Sequence, residues 1–343
     1  MSDRPRVGIL GAGRIGLPRL EAMAATGVIE VAAVADPSPE MRAAALAAAP
    51  GAVALETLGE LLAMDLDGLV IATPSALHAE QCLAALQRGL AVFCQKPLGR
   101  TAAEVRAVVD AARAADRLLG VDLSYRWTDG MARIRELIRA GRLGRVFAAD
   151  LVFHNAHGPD RPWFYDPRQS GGGCVIDLGV HLVDLALWAL DYPAVAEVDS
   201  ALFAGGEPLA DAARVEDFAI ATLRLADGAA IRIACSWHLP AGCDAVIRAE
   251  FHGTAGGAVL RNLGGGFTDF ATDRLTGTAP EPLVERESGW TGRAAADWAR
   301  RLAACDGFDA EAETLVDVAV VLDRIYGRAV RSDQPRGRKS VDI

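Results

Sequence analysis

The segment Gly171-Gly172-Gly173-Cys174-Val175-Ile176-Asp177-Leu178-Gly179-Val180-His181-Leu182-Val183-Asp184 holds the residues of this chain best suited to chemistry. Spacings of four and then three put Asp177, His181 and Asp184 on one face of a helix. The remaining positions through Leu190 are almost all apolar, so the predicted helix is buried. A carboxylate or imidazole inside a protein needs a partner or a ligand cavity to offset its lost hydration. A lone histidine in such a helix would be a satisfied core residue. Two carboxylates and a histidine at the mouth of a glycine turn suit proton transfer with a bound molecule.

Those residues need a scaffold that brings a reactant to them, and the N-terminal part outlines one. Arg6-Val7-Gly8-Ile9-Leu10 reads as a short strand, followed at once by Gly11-Ala12-Gly13-Arg14-Ile15-Gly16. A helical pattern through Leu20, Met23 and Ala24 leads to a second strand, 29–35, which ends on Asp36. A G-x-G-x-x-G run alone is weak evidence. Between strand and helix, with an acidic residue at the tip of the next strand, it marks a dinucleotide-binding turn. The first glycine permits the tight turn, the second admits a pyrophosphate to the backbone, and the third lets helix pack on strand. Free N–H groups at the helix start face the phosphates. Gly11, Gly13, Arg14, Ile15, Gly16 and Asp36 are therefore candidate cofactor residues. Asp36 can accept both ribose hydroxyls and would repel a 2′-phosphate, which favours NAD over NADP, although Arg42 lies one turn away.

Helices over 39–49, 57–63, 76–88 and 102–115 alternate with strands near Val53 and over 66–73, 90–94 and 118–123. That rhythm predicts a doubly wound parallel sheet, which binds ligands beyond the C-terminal ends of its strands. Thr73-Pro74-Ser75, with His78 one turn on, and Gln95-Lys96-Pro97 fall at two such ends. Thr73, Pro74, His78, Gln95 and Lys96 join the cofactor candidates, with Lys96 beside the expected nicotinamide. His78 reads as a cap or core histidine, not a catalyst. Further strands are expected over 145–153, 213–225, 229–236 and 245–251, with turn residues such as Asp227-Gly228 between them. The loop from His154 to Asp166 is rich in hydrogen-bonding and aromatic groups, suited to a polyhydroxylated ring. His154 and Trp163 in it, with Tyr125 and Arg126 after the last N-terminal strand, are candidate substrate residues. Trp237-His238 fits either a strand end near the site or sheet packing. His154 and His157 have no third ligand in step with them, so no metal is expected.

With 343 residues and 51% of them hydrophobic, the chain can fill two domains with real cores. A net charge of −10 argues against nucleic acid, whose phosphates need clustered Lys and Arg. The one basic cluster, Arg336-Gly337-Arg338-Lys339, reads as a solvated tail. Six scattered cysteines without a C-x-x-C pair fit reduced thiols. Ser2-Asp3-Arg4-Pro5-Arg6 runs into a strand without an apolar leader, and no apolar stretch is expected to reach membrane-spanning length. A soluble cytoplasmic protein is expected, with neither membrane nor nucleic acid as partner.

Gly11-x-Gly13-x-x-Gly16, Thr73-Pro74-x-x-x-His78, Lys96-Pro97 and the Gly171–Asp184 run together resemble the Gfo/Idh/MocA oxidoreductases, such as inositol dehydrogenases and glucose–fructose oxidoreductases. The glycine motif is generic; the Lys-Pro and G-G-G…D-x-G-x-H-x-x-D matches are specific together. The resemblance implies an α/β N-terminal Rossmann domain, residues 1–123, with a doubly wound parallel sheet. It implies a C-terminal α+β domain, residues 124–343, on a large, open, mostly antiparallel sheet. Lys96, Asp177 and His181 become the catalytic trio for reversible hydride transfer between NAD and a carbon of a sugar, sugar derivative or cyclitol. His181 would take the hydroxyl proton and Lys96 would stabilise the developing oxyanion. Asp177 would bind a neighbouring hydroxyl and orient the imidazole, and Asp184 would be a structural partner. The family usually has Glu before Lys-Pro; Gln95 removes that carboxylate. The resemblance also implies a homodimer or homotetramer, compatible with the alternating Ile220, Thr222, Leu223, Ile231 and Ile233. Two other readings keep the fold. One is glycoside cleavage with NAD as a bound redox catalyst, separable by nitrophenyl glycosides without added acceptor. The other is a non-catalytic NAD-binding regulator of the galactose-repressor type, against which an intact Lys96, Asp177 and His181 count.

Overall fold

Short apolar runs near the N-terminus have no polar alternation, the mark of strands covered on both faces. In the computed structural model, which describes residues 4–211 and 213–328, they form one parallel sheet. Its strands are β1 (Arg6–Leu10), β2 (Glu30–Ala35), β3 (Val53–Leu55), β4 (Gly68–Ile71), β5 (Ala91–Cys94) and β6 (Leu119–Val121), in the order β3-β2-β1-β4-β5-β6. Between them run helices α1 (Gly16–Ala24), α2 (Pro39–Ala48), α3 (Leu58–Leu62), α4 (Ser75–Gln87) and α5 (Ala102–Ala115). Thr57 and Glu60 make a reciprocal capping box at α3, and Thr101 caps α5 through Glu104 N–H. The strand order reverses between β1 and β4, which opens the crevice where such sheets bind ligands.

After α6 (Asp129–Arg139) the chain builds a second sheet of nine strands. They are β7 (Val146–Asn155), β8 (Val195–Ala204), β9 (Glu207–Pro208), β10 (Phe218–Leu225), β11 (Ala230–Ser236), β12 (Ala245–Gly253), β13 (Gly256–Asn262), β14 (Phe270–Thr276) and β15 (Ala279–Glu287). Every pairing is antiparallel except β7 with β11. The strand expected from Ala213 begins only at Phe218, because Ala213 and Arg214 lie in a turn closed by the Asp211 carboxylate on the Ala213 N–H. One face of this sheet packs on α8 (Val180–Ala189), which follows the one-turn α7 (Pro167–Ser170). The stretch Pro167–Ala189 is apolar enough to cross a membrane, with a mean hydropathy of 1.5, contrary to the sequence expectation. Its apolar part is instead almost wholly buried, as the core helix of this unit.

Two closing helices, α9 (Arg293–Ala303) and α10 (Thr314–Ile325), return to the N-terminal sheet. Trp298 of α9 lies against Phe93, with ring centroids 5.9 Å apart. Gly68 and Gly120 leave room for its ring, since a Cβ on either would come within 2.8 Å of it. The basic run Arg336–Lys339 lies outside the described residues.

The expected face residues of the large sheet divide in two. Leu223, Ile231 and Ile233 point into the core, whereas Ile220 and Thr222 stand on the open face, where Ile220 is 40% exposed. The two-residue period of a strand sends residues of odd and even number to opposite faces.

Candidate active site

Four strand ends converge at the crevice. Beyond β1, Gly11 and Gly16 close the turn so tightly that a Cβ on Gly16 would sit 2.0 Å from the Gly11 carbonyl oxygen. Around Gly13 nothing lies within 4 Å of a built Cβ, so the backbone there is open to a bulky group. Arg14 and Ile15 are exposed at the rim. At the tip of β2, Asp36 is nearly buried; its oxygens accept the N–H groups of Ala12 and Ser38, each at 2.9 Å. Arg42 donates to the Asp36 and Pro37 carbonyls and pairs with Glu56 at 3.0 Å, so its charge is already engaged.

Beyond β4 and β5, His78 ties two loops together. One ring nitrogen lies 2.7 Å from the Thr73 carbonyl and the other 2.7 Å from the Pro97 carbonyl. Burial lowers its pKa, against the pull of those two carbonyls. His78 is 1% exposed, so the structure makes it a clamp behind the loops, not a residue open to a ligand. Thr73 donates to Gln81 at 2.6 Å, and Pro74 starts α4. The Lys96-Pro97 peptide is cis.

Lys96 reaches across to the second unit. Its Nζ donates to Oδ1 of Asp177 at 2.6 Å and to the Asp177 carbonyl at 2.7 Å. The other oxygen of Asp177 accepts Nε1–H of Trp237 at 3.1 Å. Asp177 lies in a π-helical turn, Val175–Gly179, that precedes α8. A regular helix was expected here; the wider turn changes how its side chains are aimed and is common at functional sites. The turn is fixed at its start by Glu216, a buried carboxylate that accepts N–H from Gly173 at 3.0 Å and Val175 at 2.9 Å. Tyr326 donates to it at 2.7 Å. Gly173 is obligatory, because a Cβ there would lie 1.9 Å from the Glu216 carbonyl oxygen.

His181 sits one turn on, 7% exposed, and its Nδ1 is buried without a hydrogen-bond partner among the described residues. No hydrogen bond joins it to Asp177, so the expected orienting role falls elsewhere: Tyr125 packs edge-on against the imidazole at 4.8 Å. Tyr125 in turn is boxed by Phe153, Phe270 and Trp290. Burial, Lys96 and Arg19 push the His181 pKa well below 6.5, so the ring is neutral at pH 7. Asp184 turns away and is held in a two-point ion pair by Arg126, at 2.7 Å for the longer bond. Burial opposes the Arg126 charge, but Asp184 outweighs it and raises the guanidinium pKa.

Not every candidate gathers here. Arg126 is committed to Asp184, so it is not free for a ligand. His154 is on the open face of the large sheet, opposite Phe153; it bonds Ser236 at 2.7 Å and stacks on Phe218. The strand period at the end of β7 sends it away from His181. Trp163 stacks on Phe164, which meets the edge of Trp237, two rings from Asp177. Trp237 is the partner that sequence reasoning left undecided.

Composition carried a signal of its own. Lys96 and Lys339 are the only lysines among 35 Lys and Arg residues. Where every other cation among the described residues is an arginine, a lysine retained at a carboxylate marks a position that a planar guanidinium does not suit.

Comparison with known proteins settles the lineage. Residues 5–123 match the oxidoreductase family with an NAD-binding Rossmann fold, and residues 131–259 match the GFO/IDH/MocA C-terminal domain. The chain belongs to the Gfo/Idh/MocA family. One relative, the 1,5-anhydro-D-fructose reductase of Ensifer adhaerens, is 33% identical over 82% of this chain and 81% of that protein. The rhizopine catabolism protein MocA of Rhizobium meliloti is 36% identical, but over 54% of this chain and only 57% of its own length. Among solved structures, GenD2 from gentamicin A biosynthesis, in complex with NAD, superposes with a TM-score of 0.79 at 25% identity, covering 95% of this chain and 94% of that one. The Gfo/Idh/MocA assignment makes this chain an NAD-binding oxidoreductase.

Proposed function

We propose that Lys96, Asp177 and His181 are the catalytic residues of a dehydrogenase acting on a CH–OH carbon of a sugar, sugar derivative or cyclitol. The observation that carries the reading is a neutral, partnerless His181 beside a Lys96–Asp177 pair, at the strand ends that follow a dinucleotide turn. The residues suit NAD: the open backbone at Gly13 would admit the pyrophosphate, and Asp36 the ribose. Bound there, the nicotinamide supplies a hydride acceptor or donor. His181 takes the substrate hydroxyl proton on Nε2, since Nδ1 is shut in the core, during oxidation and returns it during reduction. Lys96 donates to the reacting oxygen and stabilises its developing charge, and Asp177 fixes the ammonium. Tyr125 closes the site against water beside the imidazole, and Trp163 lies toward its outer wall. A relative named as an anhydrofructose reductase supports a carbonyl or hydroxyl carbon of a sugar as the reacting group. A panel of polyols and aldoses, incubated with NAD or NADP and followed for nicotinamide reduction, tests it. No reduction with any of them, nor oxidation of NADH by the matching ketoses, would remove the reading.

NAD should bind more tightly than NADP. Each Asp36 oxygen accepts one backbone N–H and keeps capacity for a ribose hydroxyl, while Arg42 is already paired with Glu56. Fluorescence titration checks the order, and tighter NADP binding would reverse it. Asp36→Ser should weaken NAD by about tenfold, the value of one charge-assisted hydrogen bond, and strengthen NADP, because the charge that repels the 2′-phosphate is gone.

We also propose a homodimer or homotetramer assembled through the open face of the nine-stranded sheet, supported by exposed Ile220 and half-buried Thr222 beside it. Light scattering at micromolar concentration should give two or four chain masses; a single chain mass would rule the assembly out. A cytoplasmic setting is part of this proposal, supported by six free cysteines.

A further inference from the structure

Next to Lys96 lies a buried polar cluster that the catalytic trio does not use. The Asp122 carboxylate, just past β6, is 1% exposed. Its Oδ2 accepts Nε2–H of Gln95 at 2.5 Å and Nε–H of Arg19 at 2.6 Å, while Oδ1 accepts the Ser124 hydroxyl at 2.6 Å. Arg19 also reaches Ser124 at 3.4 Å. Gln95 and Ser124 are buried as well, and the Arg19 side chain keeps 12% of its surface. Three elements meet in one hydrogen-bonded knot: α1, which rises from the glycine turn; the end of β5, which leads into Lys96; and the end of β6.

We propose that Asp122 is the positioning residue for Lys96, and that it requires an uncharged donor at position 95. The knot contains one carboxylate and one guanidinium, so its formal charge is zero with Gln95 in place. Gln95 can serve only because its amide donates: a carboxylate there would face Oδ2 of Asp122 with no hydrogen between them. Lys96 is bracketed as a result. The residue before it is tied to Asp122, and the carbonyl of the residue after it is tied to His78. Arg19 belongs to the same knot and acts on His181, helping to keep that imidazole neutral. Positions of the reacting groups therefore depend on a charge balance one layer behind them.

The test exchanges charge within the pair. Gln95→Glu sets two buried carboxylates against one arginine, and two carboxylates that close cannot both ionise without cost. One should hold its proton to higher pH than a free carboxyl. A group whose folded pKa is raised adds stability below the unfolded pKa and loses it as pH rises through the folded one. The Tm of Gln95→Glu should therefore fall, relative to wild type, progressively as pH is raised from the acid range. Adding Asp122→Asn restores one carboxylate to one guanidinium and should abolish that pH-dependent deficit. Gln95→Met, which removes the donor and adds no charge, should show a deficit that does not vary with pH.

A second readout uses whichever polyol reduces NAD with the wild type and rests on the proposed dehydrogenase. Misplacing a catalytic group by about an ångström costs about a hundredfold in rate, so Gln95→Glu should lose at least about tenfold in kcat, more at high pH. The Gln95→Glu, Asp122→Asn pair should recover most of it. If no polyol reacts, the dehydrogenase reading fails while the Tm profiles still decide this proposal. Wild-type Tm and pH dependence in Gln95→Glu, or a double variant no better than the single, would overturn it. If Gln95→Glu does not fold, a folded double variant supports the proposal and an unfolded one overturns it.

Discussion

His181→Ala is expected to lower kcat for alcohol oxidation by about a hundred- to ten-thousandfold, the usual worth of general acid–base help. NAD affinity should stay close to wild type, because the glycine turn and Asp36 lie far along the cofactor from the reacting carbon. The pH profile separates this from simple disruption. Burial, Lys96 and Arg19 all disfavour the imidazolium, so the wild-type acid limb should lie below the ordinary histidine value of 6.5. Protonation of the base ends activity, so a lowered pKa extends activity to lower pH. In His181→Ala that limb should flatten. Unchanged turnover with the acid limb intact would make His181 a core residue. The same neutral burial has a cost for the fold. Unfolded His181 and His78 bind protons near 6.5 that the folded ones refuse, so stability falls as pH drops below that value.

Lys96→Met is expected to lower turnover by about a hundred- to thousandfold, the loss of one preorganised donor to a developing oxyanion. Its signature differs from that of His181→Ala. The acid limb should persist and move up in pH, because one of the two cations that hold the imidazole neutral is gone. Asp177 keeps only Trp237 as a side-chain partner, so KM should rise along with the fall in kcat. Lys96→Arg should restore little, since a planar fork does not reproduce a point donor between a carboxylate and a reacting oxygen. Steady-state kinetics with a titration of NAD binding separates the outcomes; wild-type kcat in Lys96→Met would remove Lys96 from the chemistry.

Local features of this site were legible in the sequence, and distant ones were not. The glycine turn, Asp36, Lys96 and the Asp177–His181 spacing each lie within one short segment, where periodicity and turn chemistry speak directly. The π-turn was missed because a helical pattern of apolar residues looks the same whether or not one residue is inserted. Trp237 comes 60 residues after Asp177 and meets it only through the register of β11. Asp122, Arg19 and Gln95 are drawn together from three separate elements, and nothing in any one of them announces the others. His154 was assigned to the substrate loop by proximity in sequence, but the strand's alternation decided its face.

Trp298 also bears on the order in which this protein is made. The β4–β6 end of one face of the N-terminal sheet, with Phe93, Gly68 and Gly120 on it, is covered by a side chain that leaves the ribosome long after the strands beneath it. Domains that fold during translation normally close behind the growing chain, whereas this one waits for its lid. Meanwhile a parallel sheet, slow to form because its strands pair across intervening helices, carries a bare apolar surface. A nascent chain stalled between β6 and α9 is therefore a natural client for a holding chaperone, and early termination in that interval yields a sticky product instead of a working cofactor module.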